Sequence, residues 1–419
     1  MDHVATLSLA ERVAALRAER GRPVVLARPR SFARPPSDDR AAALARWFGA
    51  RLETVDGGTA ILVERRIPLP PADAAALAVL PNAVYFDTET TGLSTGAGTV
   101  PFLAGLGHLD GAAIVVRQLL LPDYPHERAL LRRLCAELAW PQRLVTYNGR
   151  GFDMPLLVTR LTVHGFFAEQ AALPARHDDL LPIARRLWRR SIGIARLADV
   201  EAAVLGVRRT HDCPSAEVPA RYFGYLRGGS PELLAAVLDH NLQDIVSLAM
   251  LEATIARLRA GAWRDAALLD RRGMAIDLLR LGDPESALQV VDRALAAVDR
   301  DEAPGLRRFA SRLMLAAGDV PGAEQLWRSG TRAASVEAAG AWVEVARIRE
   351  RYRRDLSGAL EAVAAASRVL DLAFALGRGG GISELGAMRI RVDRRLRRLR
   401  SWIAAGERRR SRGREGRAA

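Results

Sequence analysis

Near residue 263 the chain stops alternating between strand-like and helix-like stretches, and only helical periodicity continues beyond it. That break limits the fold more than any other feature, because a sheet can be built only from what precedes it. AVYFDTET is a strand pattern ending in polar residues. FLAGLGHL and AAIVVRQLLL are two more, joined at Asp110-Gly111, a hairpin turn signal. Residues 126–140 place Leu130, Leu131, Leu134 and Leu138 at helical spacing. RLVTYNG reads as a short strand, MPLLVTRLTVHG as a helix, and 230–255 as a longer helix that starts from Ser-Pro-Glu. The pattern predicts an α/β domain, a mixed sheet flanked by helices, followed by an all-α domain.

The flanking regions read differently. Residues 1–80 form a lead-in: one helix over 7–20, the Pro- and Arg-rich linker RPRSFARPPSDD, a second short helix over 40–51, and the strand-like TAILVE, stopped by Pro68-Leu69-Pro70-Pro71. In the all-α part, Asp recurs at 283, 319 and 355, and Ala at 287, 323 and 359, a period of 36 residues. Each occurrence separates two helical stretches, so 263–378 reads as a helix–turn–helix repeat similar to the tetratricopeptide class, a surface suited to a protein partner. The competing reading is a plain helical bundle. The formal net charge is +14, and thirteen Arg against Asp393, Glu407 and Glu415 put +10 of it after residue 388. This tail, 384–419, is expected to be a helix in its first half and disordered in its second, either binding phosphates or simply solvated. All 62 residues counted as Lys+Arg are arginine, which reads as compositional bias. Two distant cysteines, Cys135 and Cys213, make no disulfide framework or zinc ribbon. With no stretch of about 20 apolar residues and no apolar leader, the expected location is cytoplasmic, away from membranes.

Three segments carry the chemistry. In YFDTETTGL, Asp87 and Glu89 are two apart on a strand and share a face at its end. Adjacent carboxylates repel unless a cation lies between them, and all-oxygen donors suit Mg²⁺ or Mn²⁺. In LVTYNGRGFDMPLL a strand runs into a Gly-containing loop and Asp153 opens a helix, where it could equally cap that helix. In DHNLQDIVSL, His240 and Asp244 lie one helical turn apart, a spacing that also fits an ordinary surface hydrogen bond.

Together, in this order and spacing, the three segments resemble the Exo I, II and III motifs of DEDD exonucleases in the ribonuclease H-like superfamily. TYNGRGFDMPLL also resembles the second exonuclease motif of family B DNA polymerases. The run 82–251 looks close to the bacterial YprB-like group, with FLAGLG after the first motif and HDDLLPIARRLWRRSIGIARLADVEAAVLG between the second and third. The resemblance implies a ribonuclease H-like domain over 81–258 that acts as a 3′–5′ exonuclease on single-stranded DNA or RNA. It implies two Mg²⁺ or Mn²⁺ ions held by Asp87, Glu89, Asp153 and Asp244, with His240 orienting and deprotonating the attacking water. It places a terminal nucleotide at Thr90 and Leu93; Asn148 is a candidate contact to the substrate backbone, and Phe152 could stack a base or, as the simpler reading, belong to the core. In one respect the chain departs from the family. DEDD enzymes place either Tyr with three residues before the last Asp or His with four, and here His240 stands at the tyrosine spacing. Asp178 and Asp179 add an acidic pair for which helix capping is the simpler reading, and His211, Asp212 and Cys213 have no ligand spacing. The alternative to an enzyme is a nucleic-acid-binding scaffold with a residual nuclease fold, whose repeats recruit partners.

Overall fold

The computed structural model describes residues 37–92, 96–209, 213–297, 303–377 and 381–418. The expected helix over 7–20 and most of the Pro/Arg-rich linker lie outside them. A helix at Ser37–Phe48 precedes a single seven-stranded mixed sheet. Its strands are β1 (Arg51–Val55), β2 (Gly58–Pro68), β3 (Ala83–Thr90), β4 (Pro101–Asp110), β5 (Ala113–Leu120), β6 (Arg143–Thr146) and β7 (Arg176–Asp179), in the order β1-β2-β5-β4-β3-β6-β7. Strands β1 to β5 pair antiparallel, and β6 and β7 continue the sheet parallel to β3. The β4–β5 hairpin closes at Gly111, whose φ of 60° is the left-handed geometry the Asp-Gly signal anticipates.

Sequence reading assigned residues 51–68 to an irregular lead-in, yet they form a β-hairpin belonging to this sheet. β2 pairs with β5 from Ile61↔Leu120 to Pro68↔Ala113. Only TAILVE has a strand-like composition. The charged stretch Glu64-Arg65-Arg66 is carried along by the ladder and by ion pairs of Glu64 with Arg117 and of Arg66 with Asp110. Pro68 ends β2, and Pro71 starts the next helix, Pro71–Ala78, at a position where its missing N–H costs nothing.

β3 lies between β4 and β6, and its two faces enter different cores. Val84 and Phe86 pack with Leu130, Leu134, Leu157 and Leu161. Tyr85 packs with Ile245, Leu248 and Leu251 of the long helix Ala235–Arg259. That helix lies close against β4. A Cβ on Gly105 would meet Asn241 Oδ1 at 2.3 Å, and one on Gly107 would meet Ile245 Cγ2 at 2.4 Å. The two glycines of FLAGLG therefore let the helix approach at Asn241 and Ile245, one turn apart.

The helical part follows directly. Helix Arg271–Arg280 docks on the sheet domain through Asp277, which is buried and accepts from Arg186 at 2.5 Å and from Arg259 at 2.8 Å. The 36-residue repeat now has a physical cause. Asp283, Asp319 and Asp355 each cap a helix, accepting from the backbone N–H three residues on at 2.9, 2.8 and 2.8 Å. Ala287, Ala323 and Ala359, one turn further, are completely buried. Before each Asp, Gly282, Gly318 or Arg354 turns the chain with a positive φ. The Arg-rich tail differs from expectation: its second half, expected to be disordered, continues one helix, Ile382–Ala418. Val392 and Leu399 are completely buried against the preceding helices, Arg395 and Arg398 pair with Glu350, and arginine is itself a strong helix former.

Candidate active site

The site is assembled where three elements meet. β3 presents Asp87 and Glu89 at its C-terminal end. Helix Asp153–Val163 begins on Asp153, and the long helix brings His240, Asn241 and Asp244 over the same end. Register explains the convergence. Asp87 is paired with Gly105, the residue over which Asn241 sits, so the close approach at that glycine sets the height of the helix above the carboxylates. A cleft of about 190 Å³ opens here, lined by Asp87, Glu89, Thr90, Phe152, His240 and Asp244, with Thr88, Ser215, Val218 and Pro219 completing the wall.

Each carboxylate has a distinct holder. Asp153 does not cap its helix. Its Oδ1 accepts from Thr88 Oγ1 at 2.6 Å and from Thr88 N at 3.1 Å, which ties the helix start to β3 between Asp87 and Glu89. Asn241 is completely buried. Its Nδ2 donates to Asp87 Oδ2 at 2.9 Å, while its Oδ1 accepts from Gln118 Nε2 at 3.0 Å. Asp244 Oδ1 accepts from Arg209 Nη2. Ligand atoms of Glu89, His240 and Asp244 lie within 4.8 Å of one another. His240 Nε2 lies 3.7 Å from Glu89 Oε1 and 3.5 Å from Asp244 Oδ2.

Arg209 is the cation of the site. Its Nε and Nη2 donate to Glu201 at 2.6 and 2.7 Å, and its Nη1 lies 3.0 Å from His240 Nδ1. Glu201 is 1 % exposed, so this bidentate pair is a fixed, nearly dry fork.

Electrostatics within the cluster are strained in one direction. Burial raises the Asp87 carboxyl well above the usual range, and the nearby charges of Asp244, Asp153 and Glu89 raise it further, against the Asn241 hydrogen bond. Asp153 is pushed up to about 6, first by burial, with the Thr88 donors pulling the other way. Asp244 is raised by burial, moderated by His240 and Arg209. Such a set holds its charges poorly alone and well around a cation. The donors are oxygens, the set that hard divalent ions take.

The expected residues divide into two groups. Asp87, Glu89, His240 and Asp244 line the cleft together with Thr90 and Phe152, and Asp153 stands beside them, bonded to Thr88 and near enough to Asp87 to raise its carboxyl. Thr90 Oγ1 donates to the Gly92 carbonyl at 2.6 Å. Asn148 stands apart from the cleft lining. It is exposed, with a φ of 66°, and its N–H donates to Asp179 Oδ1 at 2.8 Å. Leu93 lies outside the described residues, as do His211 and Asp212. Of the acidic pair, Asp179 caps the helix Leu180–Ile192 by accepting from Leu181 N and also accepts from Arg150 N, so it holds the loop that carries Phe152 and Asp153. Asp178 pairs with Arg143 and Arg176. Sequence reasoning missed Thr88, Asn241, Glu201 and Arg209. Thr88 and Asn241 are embedded in the motifs and could have been nominated by adjacency; nothing in EAAVLGVRR marks Glu201 or Arg209.

Comparison with known proteins agrees with this architecture. Residues 84–256 match the RNase H superfamily, so this part of the chain is a ribonuclease H-like domain. The chain is 41% identical over 171 residues to a Bacillus subtilis (strain 168) protein described as "Uncharacterized protein YprB"; the match covers 41% of this chain and spans 41% of that relative's length. A family B DNA polymerase from the hyperthermophilic archaeon Pyrobaculum calidifontis aligns over 51% of this chain and 29% of its own, at 15% identity and a TM-score of 0.35, a likeness too distant to bear on function.

Proposed function

We propose that the ribonuclease H-like domain is a metal-dependent 3′–5′ exonuclease acting on single-stranded DNA or RNA. The observation that carries this reading is the convergence of Asp87, Glu89 and Asp244 on one cleft, with Asp153 close behind it and the Asp87 carboxyl raised by burial and by the charges of Asp244, Asp153 and Glu89. Within a nuclease fold, such mutual repulsion is what a pair of Mg²⁺ or Mn²⁺ ions would relieve. When bound, divalent ions supply an activated water and charge compensation for the leaving 3′ oxygen.

The chain's own residues do the rest. Asp87, Glu89, Asp153 and Asp244 would hold the ions through their carboxylate oxygens. Thr88 and Asn241 hold Asp153 and Asp87 in place, so their oxygens need little reorganisation on loading. His240 orients the attacking water beside Glu89 and Asp244. Phe152, on the cleft wall, offers a ring face for the terminal base, and Thr90 lines the same pocket. In the reaction, water oxygen bonds to phosphorus, the bond to the 3′ oxygen breaks, and that oxygen takes up a proton, releasing a nucleoside 5′-monophosphate.

The test is a purified-protein assay with Mn²⁺ on 5′-labelled single-stranded DNA and RNA, side by side. A ladder that shortens from the 3′ end is expected, and internal cuts would instead indicate an endonuclease. No cleavage of either strand across metal and pH conditions would leave the scaffold reading in its place.

A further inference from the structure

Between Leu385 and Gly406, helix Ile382–Ala418 carries seven arginines against one acidic residue, Asp393. The fold divides these arginines in two. Arg389, Arg391, Arg395 and Arg398 reach back to acids of the preceding helical region. Arg389 pairs with Asp371, Arg391 with Glu344 at 3.3 Å, and Arg395 and Arg398 with Glu350 at 2.9 and 2.6 Å. Arg394, Arg397 and Arg400 are exposed and have no carboxylate partner among the described residues. Arg397 donates to the Asp393 carbonyl, one turn back, at 3.5 Å. Helical geometry explains the division. Val392 and Leu399 are completely buried and fix which side of the helix meets the core. At about 3.6 residues per turn, Arg394 and Arg397 then fall opposite that pair and Arg400 on its flank.

Guanidiniums stay protonated in proteins and only donate. Like charges about one turn apart on a helix repel, and a bound polyanion relieves that repulsion. A lipid surface fits this face poorly. The helix turns its apolar side to the core, and Ile390 and Trp402 are its large exposed apolar groups among the described residues, too few to insert in a bilayer. A nucleic acid fits better. Its phosphates match the unpaired arginines, and Trp402, half-exposed with the Arg398 guanidinium 4.9 Å from its ring centre, offers the aromatic and cationic surface on which unpaired bases stack.

We infer that this outer face of the C-terminal helix is a contact surface for single-stranded nucleic acid, holding phosphates of the strand whose 3′ end enters the cleft. The strand's identity as the substrate rests on the exonuclease reading; the binding face does not. The test is fluorescence anisotropy of 5′-labelled single-stranded DNA and RNA with the full-length protein in EDTA, where metal-dependent cleavage is silent, across a salt series. The variant carries Arg394→Gln, Arg397→Gln and Arg400→Gln together; glutamine keeps the helix propensity, and circular dichroism verifies the fold. Each lost phosphate contact lowers the slope of log affinity against log salt by about 0.7, so a slope shallower by about 2 is expected. With equal binding near 1 M salt, that is on the order of 10²-fold weaker binding at about 0.1 M. An unchanged slope and affinity overturns the inference. So does an equal loss when Arg328, Arg332 and Arg351, exposed arginines elsewhere in the helical region, are changed to Gln, since net charge and not this face would then set the affinity. Displacement of the oligonucleotide by poly-glutamate as readily as by unlabelled strand, or tighter binding to phosphatidylserine vesicles, would assign the face to another partner and overturn it too. Cleavage in Mn²⁺ with an unchanged salt slope refutes this face alone. The expected loss of binding in a protein that cleaves nothing refutes the exonuclease reading alone.

Discussion

Replacing Asp153 by Asn is expected to make the metal-free protein more stable, and the size of the effect follows from its surroundings. The Asp153 carboxyl is buried and raised to about 6 from an ordinary aspartate value near 3.9. At about 1.4 kcal/mol per pH unit, holding that group ionised at pH 8 costs the folded state on the order of 3 kcal/mol. Asn removes the charge but keeps the oxygen that accepts from Thr88 N and Oγ1, so little is lost in exchange. The sign is fixed by the direction of the displacement. Because the folded state binds this proton more tightly than the unfolded chain, wild-type stability falls as pH rises from about 4 to about 6 and is level above that. The advantage of Asp153→Asn should therefore be roughly 1.5 kcal/mol at pH 5 and about twice that at pH 8. For a domain of this size that is a rise of roughly 6–12 °C in the midpoint of its thermal transition at pH 8. The assay is thermal unfolding of both proteins in EDTA at pH 5 and pH 8, repeated with saturating Mn²⁺. The cation should raise the wild-type midpoint and leave the variant nearly unmoved, narrowing or reversing the order. A variant no more stable than wild type in EDTA at pH 8, or one that responds to Mn²⁺ as the wild type does, would refute the claim that repulsion and burial at this carboxylate are held for a cation.

Three other outcomes follow from the same geometry. Asp87→Asn should abolish cleavage, by about 10³-fold or more, while far-UV circular dichroism stays unchanged; a variant with undiminished cleavage would move the site elsewhere. Gly105→Ala should cost roughly 1–3 kcal/mol by overpacking and depress cleavage together with stability, because the added methyl would meet Asn241 Oδ1 at 2.3 Å and lift His240 and Asp244 away from β3; wild-type denaturant midpoint and activity would show that the close approach does not set the site. Asp319→Ala should cost about 0.5–2 kcal/mol in the helical region through loss of an N-terminal cap, read by hydrogen exchange at 320–328, with cleavage unaffected; unchanged protection there would mean that the repeated aspartate does not act as a cap.

Much of the molecule could be read from the sequence. The β strands of the sheet core, the helices between them and the change to an all-α region at 263 follow from hydrophobic period and turn chemistry, which are local properties. So does the shared face of Asp87 and Glu89, because strand geometry alone puts side chains two apart on one side. The order of the three acidic segments nominated Asp153, His240 and Asp244, and the 36-residue recurrence of Asp and Ala announced the helical hairpins. Tertiary structure decided what local pattern cannot express. Residues 58–68 join the sheet through β5, whose paired residues lie 45 to 59 positions further along the chain, and the charged stretch 64–66, beyond the part of β2 that β1 covers, is held by ion pairs. Asp153 and Asp179 both stand beside helix starts in the sequence; only packing ties the first to Thr88 of β3, next to Asp87, and leaves the second to cap a helix and secure a loop. Asn241 acquires its place from the approach of the long helix to β3, and Arg209 from that of the segment at 201–209 to the long helix. A sequence lists which groups are present, whereas the place of His240 beside Glu89, Asp244 and Arg209 is set by distances that exist only once the chain has folded.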